Sequence, residues 1–244
     1  MDLVLDLGNT NKKLALFKKG RLNVLEQFPE ISLAIVKDFI FRHPGIDNCI
    51  LSSVISHPSS ITRHLNKNFR LIELTEKTPL PIINRYRSKT SLGKDRLAAA
   101  VGGALKFPGE DVLVITAGTC ITYDFVNSRN EYLGGAISPG IAMQLQALHT
   151  FTGKLPLVSL RNAGVLTGRD TEESILSGVL TGTTAEIEGV TSRYLDKFPG
   201  IRIILSGGDQ KYFDKRLNIS IFAIPNIVIL GLHQILDFNA HSSL

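Results

Sequence analysis

Asp6 closes the apolar run Leu3-Val4-Leu5 and is followed at once by Gly8, Asn9, Thr10 and Lys13. A carboxylate at the end of a buried strand is costly unless it meets a cation or hydrogen-bond donors. Here its neighbours are a glycine that lets the backbone approach a ligand, an amide, a hydroxyl and an ammonium, a set suited to phosphate oxygens and their metal. The alternative is a carboxylate capping its own turn through Asn9 or Thr10, with Lys13 on a hairpin surface. A second acid, Asp95, follows Gly93 and Lys94 and precedes Arg96. It reads either as a first-turn helix acid, worth roughly 0.3 to 1 kcal/mol, or as the base that takes a proton from an attacking hydroxyl, a step worth about 10² to 10⁴ in rate. Spacing alone does not decide. Arg96 offers a planar fork to a carboxylate or phosphate, which fits an acceptor holding both a hydroxyl and an acid group.

The elements that position these residues occur twice. Val114-Ile115-Thr116-Ala117-Gly118-Thr119 repeats the pattern of Val4-Leu5-Asp6-Leu7-Gly8-Asn9-Thr10, an apolar run that breaks into Gly and Thr before a second strand-like run. Alternation predicts strands over 2–7, 12–18 and 21–27, a meander turned at Gly20, then a helix from Ser32, a strand over 48–54, a helix over 59–67 and a strand near 70–74. Residues 78–92, rich in proline and basic side chains, read as a loop carrying Tyr86 into a cleft. A helix over 94–106 follows, with the small stripe Ala98, Ala99, Ala100, Gly102 and Gly103 suited to close packing. The second meander is expected at 112–116, 120–126 and 131–137, then helices over 139–150 and 171–197, a strand over 201–206 and a helix over 226–238. Ile50-Leu51-Ser52-Ser53 in the first half is answered by Ile204-Leu205-Ser206-Gly207 in the second. Two related lobes, 1–110 and 111–244, with a nucleotide clamped between them, are the expectation.

Composition narrows the function. The 244 residues are 43% hydrophobic and 20% charged, enough to bury a sizeable core. The net charge is +5, but Lys and Arg are scattered without a basic stripe, which argues against a dedicated nucleic-acid binder. Cys49 and Cys120 lie in apolar runs and read as buried free thiols, not a disulfide or a zinc site. Asp2 and Asp6 spoil a secretory signal, and the most apolar late stretch is broken by Pro225, Asn226, His233 and Gln234, so a cytoplasmic protein without a membrane span is expected. Gly153-Lys154 and Gly93-Lys94 lack the Walker A context, and no GxGxxG, HExxH or GxSxG occurs. Asp124 reads as a second cation or nucleotide contact or as a solvent-facing strand residue. His149 reads as a helix-end histidine. Gly207, Gly208 and Asp209 read as a loop passing adenine or ribose, or as an ordinary turn.

Taken in order, several motifs resemble the type III pantothenate kinases, members of the acetate and sugar kinase, Hsp70 and actin superfamily. They are Asp6-Leu7-Gly8-Asn9-Thr10 with Lys13, Ser53-Val54, Tyr86 ahead of Leu92-Gly93-Lys94-Asp95-Arg96-Leu97-Ala98, Ala117-Gly118-Thr119-Cys120-Ile121-Thr122-Tyr123-Asp124, Tyr132-Leu133-Gly134-Gly135-Ala136-Ile137-Ser138-Pro139-Gly140, and Thr171 with Ile175-Leu176-Ser177-Gly178. The resemblance implies an α/β fold of duplicated ribonuclease H-like (actin-like ATPase) lobes, each a mixed sheet flanked by helices. It implies phosphorylation of pantothenate by ATP with Mg2+, the first step of coenzyme A biosynthesis. By position, Asp6, Leu7, Gly8, Asn9, Thr10, Asn11, Lys12, Lys13 and Thr119 would hold ATP, with Asp6 on Mg2+ directly or through water. Asp95 would be the general base. Tyr86, Gly93, Lys94, Asp95 and Arg96 would line the pantothenate pocket, and Thr171 would reach it from the partner subunit of a homodimer, an interface for which the small stripe on the Asp95 helix is suited.

One departure stands out. The family's usual aspartate, which helps bind a monovalent cation (K+ or NH4+), is replaced here by Thr116. Weaker or altered potassium dependence is expected, with Asp124 or backbone carbonyls compensating. Two other classes share this sequence pattern: a non-catalytic ATP-binding regulatory or accessory protein, and a kinase for another small hydroxy acid or sugar.

Overall fold

A computed structural model describes residues 1–160, 166–214 and 216–241. The chain divides into two compact units. The first comprises Met1–Gly109, Val126–Gly134 and Asn226–Leu244, and the second Glu110–Phe125 and Gly135–Pro225. The second unit thus begins at Glu110, beside the boundary expected from sequence, while residues 126–134 and the C-terminal helix pack with the first.

In the first unit, β1 (Asp2–Leu7), β2 (Lys12–Lys18) and β3 (Arg21–Phe28) form the expected meander, and β4 (Asn48–Ser53) and β5 (Arg70–Glu73) complete a sheet ordered β3-β2-β1-β4-β5. The β2–β3 turn places Lys19 at φ 51° and Gly20 at φ 74°, the left-handed pair that a tight hairpin demands. Strands β1 and β4 pair in parallel, so their connection must cross over, and α1 (Leu33–Arg42) supplies it. Ser32 Oγ accepts from the Ile35 amide to start that helix.

Alternation along β1 decides the layers. Leu3, Leu5 and Leu7 face α1 and α2 (Ser59–Asn68) through Val36, Phe39, Ile61 and Leu65. Val4 and Ile50 face the opposite layer, made by α3 (Lys94–Lys106) and α7 (Ile227–His241) through Leu97, Ala98, Val101, Ile229, Leu232 and Ile235. The small stripe on α3 is taken up here. A Cβ at Gly102 would lie 2.6 Å from the Ile227 carbonyl oxygen, and one at Gly231 would lie 1.8 Å from that of Ala98. The stripe therefore seats α7 of the same chain, and the expectation that it serves a subunit interface is corrected: those backbones already touch. His233 of α7 stacks on Phe17 with centroids 3.9 Å apart, and its Nε2 lies 3.1 Å from Asp2 Oδ2.

In the second unit, β7 (Val112–Ala117), β8 (Cys120–Val126) and β9 (Glu131–Pro139) repeat the meander, and β10 (Arg202–Ser206) and β11 (Phe222–Ala223) extend the sheet in the order β11-β10-β7-β8-β9. As β1 pairs with β4, so β7 pairs in parallel with β10. Helices α4 (Ile141–Thr150) and α5 (Thr171–Lys197) bury Ile141, Leu145, Ile175, Leu176, Val179, Leu180 and Ile187 against Ile115, Ile121, Tyr123 and Phe125. Asp170 caps α5 by accepting from the Glu173 amide, and the Glu173 carboxylate accepts in turn from the Arg169 amide, each at 2.8 Å.

The elements too short for a periodic signal are those the sequence does not announce: β6 (Ile83–Asn84), which pairs with Glu131 and Tyr132, the 3-10 turn Lys89–Ser91, α6 (Gln210–Phe213) and β11. Among the described residues no helix is long and apolar enough to cross a membrane.

Candidate active site

Register places three polar side chains in one row. Asp6 on β1 pairs with Lys13 on β2 and with Ser52 on β4, and all three lie on the face of Val4 and Ile50, the one covered by α3 and α7. Asp6 feels the Lys13 ammonium and the Asp95 carboxylate as its nearest charges. Burial dominates and pushes its carboxyl from 3.8 up to about 6; Lys13 opposes the rise and Asp95 adds to it. An acid so placed lacks positive charge. That deficit is what a divalent cation beside it would correct, so the residues present fit a magnesium ion carried on phosphate oxygens. Among the described residues no group of three or more His, Cys, Asp and Glu could enclose a metal, which leaves phosphate and water to supply the other ligands.

The β1–β2 loop is held by its own backbone. The Gly8 amide donates to the Asn11 carbonyl at 3.1 Å, and a Cβ at Gly8 would lie 3.0 Å from that same oxygen. Asn9, Thr10 and Asn11 are exposed at its tip, and Lys12 folds back to donate from Nζ to the Asn9 carbonyl at 3.0 Å. Leu7 is fully buried in the apolar layer and its carbonyl accepts from the Val54 amide, so only its main chain borders the loop.

Asp95 sits in the first turn of α3, where its Oδ1 accepts from the Arg96 amide at 2.9 Å. Gly93, the residue before the helix, leaves room for that carboxylate: a Cβ would lie 2.6 Å from Asp95 Oδ1 and would have to displace it. Arg96 is buried, with its guanidinium carbon 5.7 Å from the centroid of the Tyr86 ring. Tyr86 stacks in turn near Tyr132, at 6.0 Å between centroids. Gly134, at φ 106°, makes room, since a Cβ would stand 3.1 Å from Tyr86 Cδ2. The preceding residue anchors the segment: Arg85 donates from Nε and Nη2 to Glu131 Oε1 at 3.0 and 2.9 Å, while Asn127 Nδ2 donates to Glu131 Oε2. The first unit thus brings Asp6, Lys13, Asp95, Arg96 and Tyr86 onto the surroundings of the α3 N-terminus, with Lys94 half-buried at the helix start.

The second unit carries the remaining predicted residues on two features. Thr116, the penultimate residue of β7, stands in register with Ser206, and its Oγ1 is buried without a hydrogen-bond partner among the described residues. Thr119 is exposed at the following turn, where the Gly118 amide donates to the Cys120 carbonyl. Gly207, at φ 102°, lets the β10 loop press against β7, its would-be Cβ 2.1 Å from the Ala117 carbonyl oxygen, which accepts from the Asp209 amide. Burial raises the Asp209 carboxyl. Asp124 is fully buried, so its solvent-facing reading is corrected. Cys120 is half-buried and only Cys49 is wholly enclosed. His149 ends α4 with Nδ1 2.8 Å from the Leu155 carbonyl oxygen, as a helix-end histidine. Thr171, the first residue of α5, lines a separate groove of about 1040 Å3 with Pro139, Ala147, Leu148, Phe151 and Leu155.

Two residues of these surroundings carry no motif signal. Ser52 is buried with its Oγ unpartnered among the described residues, and it is found by aligning the ends of two parallel strands. Glu186 lies in the middle of α5, where a charged residue in a helical pattern reads as surface.

Two mixed sheets flanked by helices, with the same strand order in each meander half and a glycine turn after the first strand of each, define the actin-like ATPase and sugar-kinase fold. Solved structures agree on the fold: a Baf family protein from Campylobacter jejuni aligns with a TM-score of 0.60 at 21% identity over 98% of this chain and 99% of that one. A ROK family glucokinase from Streptomyces griseus aligns with a TM-score of 0.51 at 11% identity, over 97% and 99%. The chain belongs to the type III pantothenate kinase family, whose profile matches residues 2–193. A type III pantothenate kinase of Christiangramia forsetii is 42% identical over 98% of this chain and 99% of its own length.

Proposed function

We propose that the cluster around the α3 N-terminus is the working centre through which this type III pantothenate kinase phosphorylates its acceptor with ATP, the first step toward coenzyme A. The observation that carries the reading is the placement of Asp6 beside Lys13 on the sheet face that α3 covers, with the Asp95 carboxylate of α3 within electrostatic reach. In this reading Asp95 accepts the proton of the pantothenate hydroxyl as it attacks the γ-phosphorus, and Arg96 forks onto the pantothenate carboxylate beside Tyr86. Lys13 and the amides of residues 8–11 align the ATP phosphates, with Thr119 contributing from the second turn. Asp6 holds the magnesium ion, whose charge offsets that gathering on the transferred phosphoryl oxygens. Phosphoryl transfer asks mainly for alignment and neutralisation, and these residues supply both.

The acceptor pocket is completed in a homodimer by Thr171 of the other copy. Support comes from the groove beside Thr171 and from Phe151 in its lining, an apolar side chain 86% exposed, of the kind that a second copy covers. Thr116 brings a neutral hydroxyl where the family uses a carboxylate, so the monovalent-cation requirement is weakened or lost. Pantothenate-dependent ATP consumption, measured in potassium and in potassium-free buffer, tests the assignment. Turnover in both supports it. Folded protein that binds ATP without turnover in either buffer would make the chain a non-catalytic relative.

A further inference from the structure

One oxygen of Glu186 is a meeting point inside the second unit. Its Oε1 accepts from the Tyr123 hydroxyl at 2.8 Å and from Ser138 Oγ at 2.5 Å. Tyr123 is buried on β8, a few residues past Thr119, and burial, helped by the Glu186 carboxylate, raises its phenol, which keeps the proton that it donates. Ser138 stands at the end of β9, just ahead of Gly140.

Gly140 is in direct contact with the turn after β7. Its amide donates to the Thr119 carbonyl at 3.0 Å, and a Cβ on it would lie 1.8 Å from the Gly118 carbonyl oxygen. Between the two, the Pro139 carbonyl accepts from Gln144 Nε2 at 2.9 Å, and that nitrogen also reaches Thr183 Oγ1 of α5 at 3.0 Å. Residues 138, 139 and 140 are each tied down in succession, the first to α5, the second to Gln144 of α4, which itself bonds α5, and the third to the Thr119 turn.

Glu186 is only partly buried, and its one oxygen gathers two neutral hydroxyls from two different strands. What the carboxylate supplies is direction and strength, because a charged acceptor makes shorter and stiffer hydrogen bonds than a neutral one.

We propose that Glu186 is a positioning residue for the phosphate turn Gly118-Thr119, fixing the 138–140 segment on which that turn rests through Ser138 and fixing β8 through Tyr123. It touches neither substrate. The proposal rests on the reading of Thr119 as an ATP contact, and its test separates the two.

Steady-state kinetics with ATP and pantothenate varied independently decide it. Glu186→Ala is expected to raise KM for ATP about tenfold, the range for losing a hydrogen bond to a charged group, while leaving KM for pantothenate within about twofold. Glu186→Gln, which keeps an acceptor oxygen, should recover most of the loss. Adding Ser138→Ala to Glu186→Ala should change KM for ATP less than the single effects combined. Should Glu186→Ala fail to fold by circular dichroism, Glu186→Gln and Ser138→Ala alone carry the comparison. Equal shifts in both KM values, or a fall in Tm with unchanged KM for ATP, overturns the proposal. Thr119→Ala then tells which reading has failed: if it raises KM for ATP, the turn is an ATP contact and only the Glu186 role falls; if it does not, both fall.

Discussion

Thr116 holds in the second unit the place that Asp6 holds in the first. Each is the penultimate residue of the first strand of its meander, and each stands in register with a serine on the adjacent parallel strand, Ser206 for Thr116 and Ser52 for Asp6. A duplicated fold has kept an acid on one side and a hydroxyl on the other. The Thr116 Oγ1 is buried without a hydrogen-bond partner among the described residues.

Thr116→Asp is therefore expected to confer a potassium response. The rate of the unsubstituted enzyme should be within about twofold in potassium and in a tetraalkylammonium salt, while the variant should run slower without potassium and be stimulated by it. A strong potassium requirement in the unsubstituted enzyme would show that Thr116 does not weaken the cation site.

Asp6 sets an acid limb. Its folded-state carboxyl titrates near 6 and its ordinary value is 3.8, so the folded protein binds this proton more tightly than the unfolded chain does. The group favours folding fully below 3.8, and that contribution is lost as pH rises toward 6. At neutral pH its ionised form is a strain on the fold. Asp6→Asn should thus raise Tm at pH 7.5 by several degrees and flatten the change in Tm between pH 4 and 6, while productive use of Mg-ATP is lost. In the unsubstituted enzyme, turnover should fall as pH drops through about 6.

Asp95→Asn should bind pantothenate within a few-fold of normal, by calorimetry, and lose about 10² to 10⁴ in kcat, the worth of a positioned base. Gly93→Ala tests the same carboxylate from outside. The added methyl would press on Asp95 Oδ1 at 2.6 Å, so kcat should fall while KM for ATP changes little.

Phe151→Glu, in the groove beside Thr171, should convert a dimer to a monomer in sedimentation velocity and depress activity at low enzyme concentration. Thr171→Ala should raise KM for pantothenate and leave the sedimentation coefficient alone. A dimeric Phe151→Glu variant of full activity would remove this face from the assembly.

Much of the architecture is legible in the sequence because its elements carry strong periods. The alternation of Leu3, Leu5 and Leu7 and the echo at Val114 to Thr119 suffice for two meanders, and α3 runs over the expected 94–106. Asp6 and Lys13 are found as a pair because a tight hairpin makes neighbours of residues near in sequence. What the sequence does not reveal is long-range. Ser52 beside Asp6, Tyr86 beneath Arg96 and Glu186 on Ser138 depend on register and packing that no local pattern encodes. The stripe on α3 illustrates the same limit: small residues announce that something comes close, and only the fold says that α7 does.

That partnership governs when the protein can finish folding. The sheet face holding Val4 and Ile50, with Ala98 of α3 packed in the same layer, is roofed by Ile229, Leu232 and Ile235, side chains of α7, which follows every other described element in the chain. Until α7 is in place, the face that bears Val4, Ile50 and Asp6 lacks one of its two covering helices and exposes apolar side chains, a sticky surface of the kind that chaperones retain. The proposed centre joins residues of β1 to a layer that needs α7, so fragments that stop before α7 are not expected to display a finished site.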